Sequence, residues 1–259
     1  MINRGLWALC ISMVVLPILT ASAQNGATQL RYEIASVRPS DPTVDDGSVQ
    51  PLPNGVGYNA LGVTVRDMLS VMYRIPQRQF TGGPDWVYSK RFDVMGRADH
   101  TYSIDELHAM FENLLADRFN LKLQFVQEPG SVYMLRVAKS GLKMTAVDAG
   151  TDRHSPILGT DEGVTGDRVP LNYLCWWLGQ NLQSDQRPVV DGTGLTGTYN
   201  FKLRFRPPSG PSAEDNGTDT EDLPSIFQAL HDQLGLELTP EKGTVTKVVI
   251  EHIDPPSEN

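Results

Sequence analysis

The sequence predicts an α+β fold made of two related small modules, each with the order helix, turn, strand, helix and β-hairpin. Two alignments support the repeat. Phe92-Asp93-Val94 aligns with Tyr199-Asn200-Phe201 at an offset of 107 residues, without a gap from Gly83 and Val190 onward. A second set of apolar positions aligns at an offset of 115: Leu115, Phe119, Leu121 and Leu123 with Leu230, Leu234, Leu236 and Leu238. A single continuous α+β domain is the alternative.

The first 23 residues have the pattern of a secretory signal peptide. Arg4 precedes an apolar run over residues 6–19, and Ala21-Ser22-Ala23 matches the small-x-small site that a signal peptidase cleaves. The run is shorter than the about 20 residues that a membrane span requires. We therefore expect export of residues 24–259 to the periplasm or the medium, without stable membrane insertion of the mature chain.

The first module, residues 24–147, opens with alternating apolar residues over 31–38, which predict a strand that stops at a proline. Residues 40–57 are rich in acidic residues, proline and glycine, and predict a loop. The segment 64–67 resembles a capping box, so a helix is expected to start there and to end before Pro76.

The rest of the first module carries the clearest local signals. Ser103 and Glu106 form a second capping box, and the apolar stripe behind them predicts a helix through Phe119. Apolar residues then alternate over 121–137 on both sides of Glu128-Pro129-Gly130. This pattern predicts a hairpin that turns at the proline and glycine.

Residues 148–169 lose the apolar periodicity and predict a linker or long loop before the second module, residues 170–259. There the stripe from Leu171 to Leu182 predicts a helix. A further helix is expected to start near Asp222 with Pro224 in its first turn, and a hairpin to turn at 241–243. Between the two helices, the acidic insert 207–222 is too polar to pack and is predicted to be disordered.

The glycines at 192, 194 and 197 match the spacing G-x-G-x-x-G of a dinucleotide-binding turn. That motif requires a helix after the glycines, because helix-terminal N–H groups hold the pyrophosphate. Here the glycines lead into period-two alternation from Tyr199 to Arg206, which predicts a strand. We therefore interpret them as a turn between two strands and predict no cofactor.

Composition also restricts the partners. The formal net charge is −9, and the chain contains no basic block. Nucleic acids and anionic membranes are bound through clustered lysine and arginine, so neither is an expected partner.

No catalytic or metal-binding set is apparent. The five histidines do not have ligand spacing, and we interpret His108 and Glu112 as a surface pair one helical turn apart. Neither G-x-S-x-G nor S-x-x-K occurs. Cys175 lies on the apolar stripe of its helix and is predicted to be a buried structural thiol.

The candidate binding residues lie in two places. The turn Gly82-Gly83-Pro84-Asp85-Trp86 places a tryptophan in a loop, where aromatic residues often bind ligands. Packing of Trp86 against the edge of a core is the favoured explanation, because loop tryptophans commonly do so. In the second module, Trp176 is expected to face outward and Asp191 to stand at the glycine turn. Together the candidates are Gly83, Pro84, Asp85, Trp86, Trp176 and Asp191.

Several segments resemble a known family. They are YEIASVRPS at 32–40, GGPDW to RFDV at 82–94, RPVVDGTGLTGTYNF at 187–201, PSIFQALHDQLGLEL at 224–238 and the closing VVIEHIDPPSEN. These segments are similar to a secreted family of uncharacterised proteins that is abundant in soil Acidobacteria and is sometimes fused to regulatory membrane zinc peptidases. The resemblance implies a signal peptide and no assigned activity. The order of elements also resembles the small N-terminal domains of secretins and TonB-dependent signalling receptors, which implies an interaction module.

These observations lead to three functional hypotheses. The first is an exported, non-catalytic protein that binds a peptide, a glycan fragment or a partner protein, with exposed strand edges as pairing sites. The second is an exported hydrolase in which two of the carboxylates of Asp85, Asp93 and Asp191 lie ~5 to 9 Å apart. The third is a domain of a signalling system.

Overall fold

The structure, a computed structural model, describes residues 30–41, 43, 47–148, 156–182, 187–206 and 223–256. The predicted signal peptide and the acidic insert lie outside the described residues. Within these ranges, no helix is both long and apolar enough to cross a membrane.

The described residues form helices and sheets, so the predicted mixture of α and β structure is confirmed. The strands are β1 (Ile34–Pro39), β2 (Ser48–Pro51), β3 (Gly57–Thr64), β4 (Phe80–Gly82), β5 (Arg91–Arg97), β6 (Lys122–Val137), β7 (Thr145–Val147), β8 (Ile157–Thr160), β9 (Gly163–Pro170), β10 (Val189–Asp191), β11 (Thr198–Arg204) and β12 (Leu236–His252). The helices are α1 (Val65–Tyr73), α2 (Trp86–Ser89), α3 (Ile104–Phe119), α4 (Leu171–Asn181) and α5 (Ile226–Ala229), which continues as a π-helical turn (Leu230–Leu234); short 3-10 helices are Pro53–Gly55 and Gln77–Gln79.

Two antiparallel sheets have corresponding strand orders, β1-β5-β3-β2 and β7-β11-β9-β8. Each contains an irregular step with a residue at positive φ, Gly62 at 62° and Arg168 at 49°. The Gly62 N–H donates to Asp93 Oδ1 at 3.0 Å, and the Arg168 N–H donates to Asn200 Oδ1 at 2.7 Å. The same backbone irregularity is thus satisfied by a polar side chain at matching positions.

The third sheet has the order β10-β6-β12-β4 and is centred on a long antiparallel ribbon of β6 and β12. The two strands pair with each other from Lys122 and His252 at one end to Val137 and Leu236 at the other. The two predicted hairpins are therefore wrong: Gly130 pairs with Gly243 across the ribbon, and neither is the tip of a turn. Neither glycine has the positive φ that a tight two-residue hairpin turn favours.

Two hydrophobic cores lie at opposite ends of this ribbon. Val248 and Ile250 of β12 are buried in the first core, with α1, α3 and the first sheet. Tyr133 and Leu135 of β6 are buried in the second core, with α4, α5 and the β7-to-β8 sheet. Each core is therefore completed by a strand that begins in the other half of the sequence.

Local sequence signals set the helix ends. Thr64 and Ser103 form the two predicted capping boxes, which are confirmed. The last helix begins later than predicted, at Ile226, where the Ser225 hydroxyl accepts from the Gln228 N–H at 3.3 Å.

Two predicted loops contain strands. Residues 40–57 include β2. Residues 148–169 include β8 and most of β9, which pair as an antiparallel hairpin, so the interpretation of this part of the segment as a linker or loop is wrong. The glycines that indicated a loop allow close strand contact instead. A Cβ at Gly163 would lie 2.1 Å from the Leu203 carbonyl oxygen, and one at Gly57 would lie equally close to the Gly96 oxygen.

Candidate functional site

The turn 82–86 connects β4 to α2, and it places Trp86 against the first core. The half-buried indole stacks on Phe119 with a centroid distance of 6.2 Å and meets Phe92 edge-on at 6.1 Å. The packing interpretation of Trp86 is therefore confirmed. Gly83, Pro84 and Asp85 are exposed in the same turn.

Asp191 and Trp176 lie in the second half, where Asp191 stabilises a turn and Trp176 packs against a neighbouring ring. The exposed Asp191 carboxylate accepts hydrogen bonds from the Thr193 N–H at 2.9 Å and its hydroxyl at 2.8 Å, which fixes the start of the glycine turn. Trp176 is half-buried beside Tyr173, with ring centroids 5.2 Å apart. The expectation that Trp176 faces outward is wrong for its Nε1 atom, which is inaccessible to solvent.

The structure does not bring the predicted site residues together. Asp191 pairs with Leu135, whereas Gly82 pairs with Ile250, whose partner on β6 is Leu123. Twelve residues of strand separate these two positions on β6, a distance of about 40 Å at about 3.3 Å per residue. Asp85, three residues after Gly82, therefore cannot share a cleft with Asp191.

Asp93, the third carboxylate of the hydrolase hypothesis, has a structural partner set. It accepts from the Gly62 N–H and lies 3.2 Å from the Arg38 guanidinium. Burial alone would raise the pKa of Asp93, but the hydrogen bond from Gly62 and the charge of Arg38 outweigh it and bring the pKa below its usual value. This carboxylate is an ionised acceptor that holds the irregular turn of β3.

The outer edges of the β6–β12 ribbon are the largest unpaired strand edges in the described part of the chain. The Tyr133 N–H donates outward to the Pro188 carbonyl at 2.9 Å, so alternate residues of β6 and their partners on β12 direct backbone groups away from the ribbon. On β12 these include Lys242, Thr244 and Thr246, just before the stretch 248–250 that β4 covers. No described strand pairs with residues 242–246 on this side of β12.

A second feature is a group of titratable side chains from β3, α1 and the residue after it, α3 and α4, which we call the junction cluster. Its members are Tyr58, Tyr73, Arg74, Asp105, His108, Glu112 and Tyr173. Burial lowers the pKa of His108 to about 4, and burial raises the pKa of Glu112 to about 7 although Arg74 opposes the rise. Groups with such shifts concentrate at functional sites, so the cluster is a candidate site.

His108 occupies the centre of the junction cluster. It is 5% exposed; Nδ1 lies 3.2 Å from the Met72 carbonyl oxygen and Nε2 lies 3.1 Å from the Tyr58 hydroxyl. A neutral imidazole that donates to Met72 and accepts from Tyr58 satisfies both contacts. The interpretation of His108 and Glu112 as a surface pair is therefore wrong.

The sequence contains a signal for this burial. His108 follows Ile104 by four residues and precedes Phe111 by three, so it lies on the apolar stripe of α3. The partners of His108 from β3 and α1 are distant in sequence, and no motif marks them.

Two further predictions concern the Cys175 thiol and metal binding. Cys175 is a buried free thiol, and burial, aided by the nearby Asp191 charge, raises its pKa to about 12, so the prediction of a structural thiol is confirmed. Among the described residues, no three histidine, cysteine or acidic side chains are grouped to hold a metal ion. The absence of a metal and of a cofactor stays a prediction.

Comparison with known proteins identifies a family. A family model described as "Protein of unknown function (DUF3738)" matches residues 66–253, from the first turn of α1 to the residue after β12. No curated protein and no solved structure matches the chain. Since the match covers more than half of the sequence, the chain belongs to the DUF3738 family of proteins of unknown function.

Proposed function

We propose that the chain is an exported, non-catalytic interaction protein that binds an extended peptide segment of a partner protein by strand addition to the outer edge of β12. The observation that carries this proposal is the row of outward-facing backbone groups at Lys242, Thr244 and Thr246, directly in line with β4. An added strand obtains its affinity from such main-chain hydrogen bonds. A signal peptide in residues 1–23 would place this edge outside the cytoplasm, as part of the same proposal.

The proposal includes a duplication of one small module whose copies have exchanged their last strands. The register of the ribbon supports it. Leu123 pairs with Ile250, and Leu135 pairs with Leu238. The residue 115 positions after Leu123 is Leu238, and the residue 115 positions before Ile250 is Leu135. The first pair therefore becomes the second, as a two-fold relation between the halves requires. The same relation places β4 and β10 at opposite ends of the ribbon.

The two edges of the ribbon differ in one respect that favours β12. On β6, Pro129 stands in the middle of the open edge and has no N–H to donate. Its counterpart at an offset of 115 is Thr244, which keeps its N–H. Pro240 removes a donor only near the other end of β12, so three consecutive outward positions remain available there.

Cross-strand contacts keep the open part of the ribbon ordered without covering its edge. The Gln127 amide donates to the Thr246 hydroxyl at 2.9 Å, and the Lys242 ammonium donates to the Ser131 hydroxyl at 3.0 Å. Lys247 and Glu128 form an ion pair at 2.5 Å. The ribbon therefore offers a preorganised edge, which reduces the ordering cost of adding a strand.

Thr244→Pro tests the proposal, because it removes an outward N–H and leaves the β6–β12 hydrogen bonds in place. Pro129, at the corresponding position of β6, indicates that the ribbon tolerates this residue. Phe125→Pro is the matched control, since Phe125 is the β6 counterpart of Pro240. The probe is a displayed library of random peptides selected on residues 24–259, followed by titration of the enriched peptides.

We expect the enriched peptides to bind the wild type and Phe125→Pro alike, and to bind Thr244→Pro at least about tenfold more weakly, since one or two hydrogen bonds are lost. Circular dichroism and thermal unfolding of each variant check that the fold is kept. Equal binding to all three proteins, or no enrichment of any peptide, would show that β12 is not a peptide-binding edge.

A further inference from the structure

Helices α1 and α4 face each other across the junction between the two halves. The Gln180 amide donates to the Ser70 hydroxyl at 2.7 Å. The Arg78 guanidinium donates to the carbonyl oxygens of Gly179 and Arg187, both at 2.8 Å. Trp176 precedes Gln180 by four residues and follows Tyr173 by three, so it lies on the face of α4 that meets the first half.

The internal relation of the fold indicates what Trp176 approaches. Strands β3 and β9 correspond at an offset of 106 residues, and α1 and α4 follow them directly. The residue 106 positions after Ser70 is Trp176, and the residue 106 positions before Gln180 is Arg74. The contact of Ser70 with Gln180 therefore corresponds to a contact of Trp176 with Arg74. The duplication proposed above, on which this step rests, would therefore bring these two side chains together.

Electrostatic contacts give independent support for this placement. Burial raises the pKa of Tyr58, the charge of Tyr173 adds to the rise, and the charge of Arg74 opposes it. Tyr173 and Arg74 therefore both lie near the Tyr58 hydroxyl, and the Tyr173 ring is in contact with Trp176. The aromatic rings and the guanidinium belong to one neighbourhood.

This neighbourhood contains unpaired hydrogen-bond donors. Within the described residues, three buried N–H groups of residues at the junction have no acceptor in the protein: Arg74 Nε, Arg78 Nε and Trp176 Nε1. Buried donors without a protein acceptor are rare in folded proteins, and each of these can donate to a bound ligand or to a water.

We propose that the junction of α1 and α4 binds a small monocarboxylate whose oxygens accept from Trp176 Nε1 and Arg74 Nε. The site supplies one guanidinium, whose Nη2 already donates to the Asp105 carboxylate at 2.6 Å. The adjacent Asp105 and Glu112 disfavour a dianion such as phosphate, whereas the rings of Tyr58, Tyr173 and Trp176 suit an apolar or aromatic body. The carboxylate belongs to a free small acid or to the C-terminal end of a peptide, since both offer the same chemistry.

The test is titration calorimetry on residues 24–259 with acids and their matched amides. Benzoate is the probe for a free acid and N-acetyl-alanyl-phenylalanine for a peptide end; the amide of each removes the charge, and inorganic phosphate tests a dianion. The variant Trp176→Phe removes the indole N–H and keeps a smaller aromatic ring. The control is Trp177→Phe, because Trp177 packs edge-on against Phe205 in the second half, with centroids 6.1 Å apart.

We expect one of the acids to bind the wild type and Trp177→Phe more tightly than its amide, and to bind Trp176→Phe about tenfold more weakly, as loss of a charge-assisted hydrogen bond requires. Arg74→Met should abolish this binding if it folds; Trp176→Phe decides the question if it does not. Equal affinity for acid and amide, tighter binding of phosphate, or equal affinity of Trp176→Phe and the wild type would overturn the proposal. None of these measurements involves the β12 edge.

Discussion

Because β12 completes the first core and β6 completes the second, we predict that a core substitution in either strand destabilises the half of the protein that lies farther away in sequence. Ile250 is in the last strand, yet its side chain is buried in the first core. Leu135, its counterpart on β6, lies in the first half of the sequence, yet its side chain is buried in the second core. Ile250→Ala and Leu135→Ala therefore form a reciprocal pair of tests.

Both substitutions should be large and comparable in size. Ile250 is 2% exposed and Leu135 is 0% exposed, so each change removes buried methyl groups and leaves a cavity. Such substitutions cost about 2 to 5 kcal/mol. Domains of this size are stable by about 5 to 15 kcal/mol, so the variants should remain folded while opening more often.

Native-state hydrogen exchange separates the two outcomes, because it reports local opening amide by amide. Ile250→Ala should lower the protection of α3 amides by at least about 25-fold, the equivalent of about 2 kcal/mol, and lower that of α4 much less. Leu135→Ala should give the opposite pattern. If each strand folded back on its own half as a hairpin, Ile250→Ala would expose α4 and Leu135→Ala would expose α3, and that result would refute the exchanged arrangement.

Three further predictions concern single side chains. The lowered pKa of His108, about 4, means that the free energy of unfolding decreases as the pH falls from 6.5 to 4, and His108→Phe should reduce this decrease. The raised pKa of Glu112, about 7, means that the free energy of unfolding decreases as the pH rises from 4.5 to 7, and Glu112→Gln should reduce that decrease. Urea titrations across this pH range measure both effects. Arg78→Met should cost about 2 to 3 kcal/mol, because two half-buried carbonyls lose charged donors, whereas Arg38→Met, at an exposed ion pair, should cost under about 1 kcal/mol. Equal costs in chemical denaturation would contradict the role of Arg78 in joining the halves. Cys175 should not react with a thiol reagent until the protein unfolds, because the thiol is buried and its pKa is about 12; rapid modification of the native protein would contradict this.

Local patterns predicted most helices and several strands because their causes lie within a few residues. The capping box of Ser103 and Glu106 and the glycine turn before β11 depend only on nearby side chains and on backbone periodicity. The strands β2, β8 and β9 were missed for the opposite reason. Their glycines and polar residues resemble a loop, and the need for glycine at position 163 arises from the backbone of β11, about 40 residues later.

The pairing of the long strands could not be read from the sequence. Alternation over 121–137 fits a hairpin and an exchanged ribbon equally well, and chain entropy favours the shorter loop. Packing across the ribbon requires glycine at positions 130 and 243. A Cβ at Gly130 would lie 2.5 Å from Val245 Cγ2, and one at Gly243 would lie 2.9 Å from Val132 Cγ2. These glycines make room for cross-strand neighbours that are more than a hundred residues distant.

The junction cluster was missed because its members come from β3, α1, α3 and α4. Burial of His108 could have been inferred from its place on the stripe of α3, but its contact with Tyr58 could not. The repeat alignment stays a prediction. Under the proposed duplication, the strand pairing would make Gly82 correspond to Asp191, an offset of 109, so Val190 would not be the counterpart of Gly83.

The exchange also changes the meaning of the predicted division at residues 148–169. That division follows the order of elements in the sequence, whereas the cores cross it: Val248, Ile250 and Ile253 complete the first core from the end of the chain. A segment that ended before β12 would expose these contacts and leave the first core open. The family match from 66 to 253 contains both exchanged strands, as a unit of this kind requires. Because β6 and β12 are shared by both cores, a ligand on the β12 edge would act on both halves at once, and hydrogen exchange of α3 and α4 with bound peptide would reveal that coupling.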